Sequence, residues 1–348
     1  MKIVYIILLI NLFLIGAYPK DTDNKCEKIV KDYLNKEICI PKKINKIAIT
    51  CYGGASQEIA LFMGGDKIVA QPSVSRFKEF VKVYPNLKDV PSIGSFSDVN
   101  IEALMDVNPS IVFVGATSYQ MNNRISQMGF PVYTLGIGKH SIDSLLEEFL
   151  HLGKILNVEP KAKELVSYWK QTLLAINNNL KDIPENRQKR VYYTTKKRKY
   201  SSQWKKSWVD EFINLAGGIN VAAKTAIEGE RSIETLILWD PDVIVTIRSP
   251  FKNQNATAFR DNPALQNIKA IREKQVYEGP VGTFWWDRPS PESILGIVWL
   301  AKILYPTQME NINLKKETKN FFLKFYNYKV SDEEYMSFFE NKKASLSL

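Results

Sequence analysis

Four arginines in this 348-residue chain, Arg76, Arg198, Arg248 and Arg288, stand in short segments that also hold aromatic residues. A guanidinium is a planar fork of N–H donors that matches carboxylate or catecholate oxygens. The Tyr and Trp side chains nearby could stack on a flat ligand. Residues that break covalent bonds are not assembled in any recognisable pattern. The only histidines are His140 and His151, and there is no H-E-x-x-H, G-x-x-x-x-G-K-[ST] or G-x-S-x-G. The chain therefore reads as a binder and not an enzyme, with no resident cofactor. So few histidines also argue against a site that grips a bare transition-metal ion. His140, in Gly138-Lys139-His140-Ser141, reads as a loop residue near a helix start, and Cys51 as a buried structural thiol.

The elements that position these residues follow an α/β rhythm. A strand at 46–50 leads through Gly53-Gly54 into an amphipathic helix at 56–63, which Gly64-Gly65 closes before a second strand at 67–70. A helix at 101–107 and strands at 111–114 and 132–135 continue it. Apolar residues then recur at helical spacing over 141–155. From Pro160 a second stripe, Ala162, Leu165, Val166, Trp169, Leu173, Ile176 and Leu180, predicts one helix ~30 Å long. A strand at 190–195 opens the second half.

That second half repeats the first. I-E-A-L-M-D-V-N-P-S-I-V-F-V at 101–114 aligns with I-E-T-L-I-L-W-D-P-D-V-I-V-T at 233–246, each a helix stopped at Asn/Asp-Pro before a buried strand. The expected fold is two similar Rossmann-like α/β lobes joined by a single long α-helix, with a ligand cleft between them. Open α/β sheets bind ligands beyond the carboxyl ends of their strands. Tyr52, Gly53, Arg76, Phe96, Tyr119, Arg198, Trp204 and Arg248 follow or adjoin strand ends and are the candidate ligand contacts.

The ends of the chain set its compartment. Lys2 and the apolar run 3–17 predict a signal peptide at 1–17, too short to span a bilayer, and hence a soluble, monomeric periplasmic protein. The remaining partition is an N-terminal extension at 18–43, a first lobe at 44–157, the connecting helix at 158–184, and a second lobe with a helical tail at 185–348. Cys26 and Cys39 flank a segment that reads as one helix, and export permits a disulfide between them. Two tail helices, one bearing Phe321, Phe322, Phe325 and Tyr326 and one starting at Ser331-x-x-Glu334, are expected to pack on the second lobe. The formal net charge of +10 would raise nucleic acid as a partner in the cytosol; after export it fits an anionic small ligand, as does the basic stretch 196–206.

The chain resembles the periplasmic binding proteins that deliver iron–siderophore, haem, vitamin B12 and related metal complexes to ABC importers. The resemblance runs from about residue 44 to about 305. It rests on I-A-I-T-C-Y-G-G-A-S-Q-E-I-A-L-F-M-G-G-D-K-I-V-A (47–70), the two helix–Pro–strand units, the connecting helix, and F-W-W-D-R-P-S-P-E-S (284–293). It implies that Trp285, Trp286 and Arg288 face the cleft; from the residue types alone, Ser290 is expected to cap the following helix and Glu292 to favour its positive end. It implies that Glu102 and Glu234 dock the lobes onto the importer permease. The implied ligand is an anionic metal chelate, foremost a ferric siderophore or similar iron complex. Nickel or cobalt chelates, haem and cobalamin are the alternatives within the class. An exported structural or adhesion α/β protein is the alternative outside it.

Overall fold

A strand that is apolar at every position must be covered on both faces, and Ile111–Gly115 is buried along its whole length. The structure, a computed structural model that describes residues 26–194, 200–202, 207–223, 229–248 and 255–339, places it inside a four-stranded parallel sheet. The spatial order is Ile68–Ala70, Ile47–Ile49, Ile111–Gly115, Val132–Leu135. A second parallel sheet runs Ile219–Asn220, Arg190–Thr194, Val243–Thr246, Val276–Glu278. Numbered along the chain, both sheets have the order 2-1-3-4.

The duplication extends to the chain geometry of the repeated unit. The helices Ile101–Val107 and Ile233–Trp239 are each seven residues long. Asn100 caps the first by accepting from the Ala103 N–H, and Ser232 caps the second by accepting from Thr235. Both end on a left-handed residue, Asn108 (φ 45°) and Asp240 (φ 37°), which releases the chain into Pro and the central strand.

The connecting helix is Glu159–Leu180. Its buried positions, Ala162, Leu165, Val166, Trp169, Ile176 and Leu180, pack on Ile142–Ile155 of the first lobe and on Ser293–Leu304 of the second. Trp169 is the point where the lobes meet: its ring lies edge-on to Phe149, and its Nε1–H donates to the Pro291 carbonyl at 3.1 Å. A single apolar cluster includes buried residues of both sheets and of the helix.

Three expectations are corrected. Residues 27–38 are not a helix: Cys26–Lys31 and Glu37–Pro41 form an antiparallel hairpin. Asp32 accepts from the Leu34 and Lys36 N–H groups at its turn, and Ile38 and Ile40 point inward. β-branched residues at alternate positions favour that geometry. The Cys26–Cys39 disulfide crosses this hairpin, Cα–Cα 5.5 Å.

Second, Ser290 does not cap the helix after it. That helix begins at Ser293 with Glu292 at its N-cap and no side-chain cap bond, while the Ser290 hydroxyl meets that of Ser293 at 3.1 Å. Third, the tail packs on more than the second lobe. Ser331 and Glu334 do form a capping box for Asp332–Ser337. Tyr326 of Leu314–Tyr326, however, packs edge-on to Tyr84 of the first lobe, Ser337 Oγ lies 3.3 Å from Glu79, and Tyr168 of the connecting helix donates to Glu317 at 3.1 Å. Four aromatic side chains on one short helix need more cover than one lobe supplies.

The disulfide closes a short loop, and closure entropy for such a loop is about 3 kcal/mol. Reduction, or the double change C26S/C39S, should lower stability by up to that amount, read as a lower urea midpoint with a slope equal or slightly steeper, since the released unfolded chain exposes more surface.

Candidate functional site

At the sheet order 2-1-3-4 the connections leave in opposite directions between the first and third strands, which opens a crevice above their carboxyl ends. In the first lobe Tyr52-Gly53-Gly54 lies there. Gly53 (φ 93°) and Gly54 (φ 96°) are left-handed. A Cβ on Gly54 would sit 2.5 Å from the Pro289 carbonyl of the second lobe, so the lobes touch where only glycine fits. Beside it Gln57 donates to the Thr283 carbonyl at 3.1 Å. Phe96 occupies the tight turn of the hairpin Gly94–Ser95/Asp98–Val99 at φ 53°, an uncommon conformation for a bulky side chain. Its N–H donates to Thr50 at 2.6 Å, and the ring lies 6.5 Å from that of Tyr52.

Arg76 is held among rings from both lobes. Its Cζ is 4.3 Å from the Tyr52 centroid, 5.1 Å from Phe77 and 5.4 Å from Trp285. Its Nε is buried without a hydrogen-bond partner, and it has no ion pair among the described residues. Trp285 is half-buried, edge-on to Phe77 and Phe284, and its Nε1–H donates to the Arg248 carbonyl at 2.8 Å. The Arg248 guanidinium in turn donates to the Ser337 carbonyl of the tail at 3.1 Å. On the second-lobe side Arg288 lies over the Tyr193 ring at 5.8 Å. Tyr193 donates to Asp287 Oδ2 at 2.6 Å, and Trp208 Nε1–H donates to the Asp287 carbonyl at 3.1 Å. Burial pushes the Tyr193 hydroxyl well up, against the opposing pull of Arg288, so it remains a neutral donor.

Tyr52, Gly53, Arg76, Phe96 and Trp285 thus form one neighbourhood, with Arg248 tied to Trp285 and Arg288 on the second-lobe part of the same loop. Tyr119 begins the helix Tyr119–Gln127 and is 67% exposed, outside that set of rings. Trp286 is corrected to a core residue. It is fully buried against Phe338 and Phe339, with its Nε1–H on Glu292 at 2.8 Å, because adjacent Trp residues in this loop point to opposite sides. Arg198 and Trp204 lie outside the described residues, as do the signal segment 1–17 and most of the basic stretch 196–206. Glu102 and Glu234 are both exposed in the first turns of the duplicated helices. Backbone and Ser232 donors hold the Glu234 carboxyl below its ordinary range.

Beneath the first-lobe loops lies a buried set that joins His140 and the buried thiol of Cys51 to two acids, Glu58 and Glu148, which the sequence reading did not single out. His140 is buried, its Nε2 2.8 Å from Glu148 Oε1, and Glu148 Oε2 accepts from the Gly136 N–H at 2.6 Å. Glu58 is fully buried with no N–H or hydroxyl donor to either oxygen, and its carboxyl lies against that of Glu148. Burial, then the neighbouring Glu148, pushes the Glu58 carboxyl well up. Cys51 is buried beside them, and its thiol is pushed up by burial first and then by Glu58 and Glu148. Among the described residues no group of three or more His, Cys, Asp or Glu is placed to hold a metal ion. Tyr193 and Asp287, which support Arg288, were hidden because one lies at the end of an apolar strand and the other between Trp and Arg.

Two duplicated parallel-sheet lobes on one helix, with an arginine and aromatic cleft between them, define a two-lobed solute-binding protein. The chain belongs to the periplasmic binding protein family, whose model matches residues 49–281. It is 26% identical over 330 residues to the molybdate-binding protein MolA of Haemophilus influenzae, covering 86% of this chain and 91% of that protein. It is 22% identical over 202 residues to the Fe(3+)-citrate-binding protein YfmC of Bacillus subtilis, covering 58% and 62%. The crystal structure of a periplasmic solute-binding protein from Veillonella parvula superposes with a TM-score of 0.78 at 24% identity, covering 90% of this chain and 96% of that one. Among the described residues no helix is long and apolar enough to cross a membrane.

Two outcomes follow from the burial pattern. Trp286→Ala should cost about 3–5 kcal/mol in urea denaturation, the usual loss for a buried aromatic, and Trp285→Ala distinctly less. The raised Glu58 pKa means that the folded state keeps a proton the unfolded chain gives up above about pH 4.3. Glu58 thus contributes stability at acid pH that is lost as pH rises. Glu58→Gln should flatten that part of the stability–pH curve and raise stability at pH 8; a curve unchanged by the substitution would count against the assignment.

Proposed function

We propose that the chain captures an anionic metal complex in the cleft between its lobes and hands it to an ABC importer from the periplasm. The observation that supports this most is Arg76. An arginine in a mostly apolar setting is ordinarily paired with a carboxylate, whereas this one has rings from both lobes around it and an Nε without a partner. An incoming carboxylate, catecholate or oxo group would supply the missing acceptor. The Tyr52, Phe96 and Trp285 rings offer faces to a flat chelate, and Arg288 adds a second cation from the other lobe. A ferric chelate is the reading preferred, in keeping with the ferric citrate named for YfmC. A molybdate-type oxyanion is the second reading, favoured by the extent of the match to MolA. Glu102 and Glu234, at matching positions of the two lobes, are the proposed contacts to the permease, and residues 1–17 the proposed export signal.

The test is a thermal-shift panel on the mature protein with ferric citrate, a ferric catecholate, haem, nickel–histidine and sodium molybdate. A ligand that binds the folded state alone at 100 times its Kd stabilises by about 2.7 kcal/mol. At least one anionic complex should raise Tm, and Arg76→Ala should abolish the rise. A panel without any shift, or a shift that Arg76→Ala leaves intact, would overturn the reading. Glu102→Lys with Glu234→Lys should reduce cellular uptake while leaving the Kd unchanged.

A further inference from the structure

Glu292 has an environment that helix-end electrostatics does not explain. It is fully buried, and its carboxylate is surrounded by neutral donors. Oε1 accepts from Tyr326 OH at 2.9 Å, and Oε2 from Trp286 Nε1–H at 2.8 Å. The Thr283 N–H reaches both oxygens at 3.2 and 3.1 Å, and the Thr283 hydroxyl donates to Oε1. A Cβ on Gly282 would lie 2.1 Å from Oε2, so the loop approaches the carboxylate as only glycine permits. These donors come from two places. Thr283 and Trp286 belong to the loop that carries Trp285 and Arg288, and Tyr326 belongs to the tail helix.

We propose that Glu292 is the positioning residue of the cleft: its carboxylate clamps the 282–288 loop to the tail helix and so sets the pose of Trp285 and Arg288. The proposal rests on the reading that these two side chains face the ligand, but the clamp itself is independent of which ligand binds. The middle of the loop is attached separately, at Asp287, which accepts from Tyr193 and Trp208. Trp285 is held by the Arg248 carbonyl, and Arg288 by its backbone turn to Trp285 and by the Ser293 hydroxyl, which donates to its carbonyl. The first of these contacts reaches the chain just after the sheet strand Val243–Thr246, and the backbone turn stays within the loop. The Glu292 bonds are the ones that fix the start of the loop to the body of the second lobe, since Glu292 opens the buried helix Ser293–Leu304.

Burial of this acid raises its carboxyl to about 7 in spite of the four kinds of donor. The titratable groups that face it are Tyr326 from the tail helix and Tyr84 from the first lobe. Burial keeps both hydroxyls above their ordinary range, so neither changes charge between pH 5.5 and 8.5. Above pH 7 the carboxylate accepts every bond just named. Below it, one oxygen carries a proton and one donor loses its acceptor, which loosens the clamp.

The test is ¹⁹F NMR of the full mature protein with 5-fluorotryptophan, the Trp285 resonance being assigned by Trp285→Phe. In the wild type that resonance should shift between pH 5.5 and 8.5 with a midpoint near 7. In Glu292→Gln, an isosteric change, the titration should vanish. Tyr326→Phe, which removes a donor from the tail side and leaves the core volume unchanged, should displace the resonance at all pH values. With ferric citrate or molybdate as the probe, whichever binds, Glu292→Gln should weaken affinity on the order of fivefold, the worth of about one neutral hydrogen bond. A Trp285 titration that persists in Glu292→Gln, or a resonance indifferent to both variants, would overturn the clamp. The ligand reading fails separately, by a probe affinity that Arg76→Ala does not change.

Discussion

Two lobes joined by one helix stay in register only if that helix is shared as core by both. The Glu159–Leu180 helix meets this condition through one stripe of buried side chains, and Trp169 is its centre. The ring packs on Phe149 of the first lobe while its N–H is bonded to Pro291 of the second. An indole that large is seldom fully buried without a partner for its N–H, and here the partner lies in the other lobe. Gly153 shows how closely the surfaces fit, since a Cβ there would lie 2.4 Å from that of Ala162. The bridges from Gln57 to Thr283 and from Glu211 to the Ile142 N–H add polar contacts on either side. The cleft is thus bounded by parts of one continuous core, and its shape follows from packing rather than from a hinge between independent domains.

Within that frame the charged groups meet different surroundings. The cations Arg76 and Arg288 lie against ring faces at the cleft, where the negative quadrupole of an aromatic ring tolerates a guanidinium without neutralising it. The carboxyls Glu58, Glu148 and Glu292 are buried below the loops and meet neutral donors, a histidine, or one another. A buried carboxyl without a cation holds its proton more tightly, and burial raises Glu58 and Glu292 in this way. Had any of them formed an ion pair with Arg76, the cleft would have lost its capacity for an external anion. Arg288 differs from Arg76 in this respect, since the buried Asp287 stands beside it and both act on Tyr193.

The parts of this architecture that are repeated or periodic were legible in the sequence. The helix 101–107 and the strand 132–135 were placed to the residue, and the connecting helix to within a turn, because their apolar spacing is set by burial on one face. What failed was local pattern without knowledge of depth. Ser290-Pro291-Glu292 has the composition of a helix start, yet Glu292 is buried among donors that come from residues 283, 286 and 326, and its packing moves the start to Ser293. Residues 27–38 seemed helical because they are polar and short. Only the pairing of Ile38 and Ile40 with the first lobe reveals a strand, and that contact lies outside any local window. The rings of Tyr52 and Trp285 that surround Arg76 are among the residues that the strand-end rule and the family resemblance offered. Which of two adjacent Trp residues faces inward depends on the Glu292 acceptor, and nothing in W-W-D-R indicates it.

The duplication clarifies what each lobe is for. Cap, acid and left-handed stop are kept in both copies, Asn100, Glu102 and Asn108 against Ser232, Glu234 and Asp240. The solvent face one turn further on is not kept: Asp106 in the first copy stands where the second has Leu238, which is 83% exposed. Retention of a cap follows from helix stability alone, and a first-turn acid is favoured by the helix dipole. Neither force accounts for an apolar side chain left in water on the same face as the retained acid. Scattered apolar exposure is ordinary on protein surfaces, so Leu238 by itself assigns nothing. It does show that the two copies have been under different constraints outside the cap, the acid and the stop, and that the symmetry of the fold need not extend to the surfaces it presents.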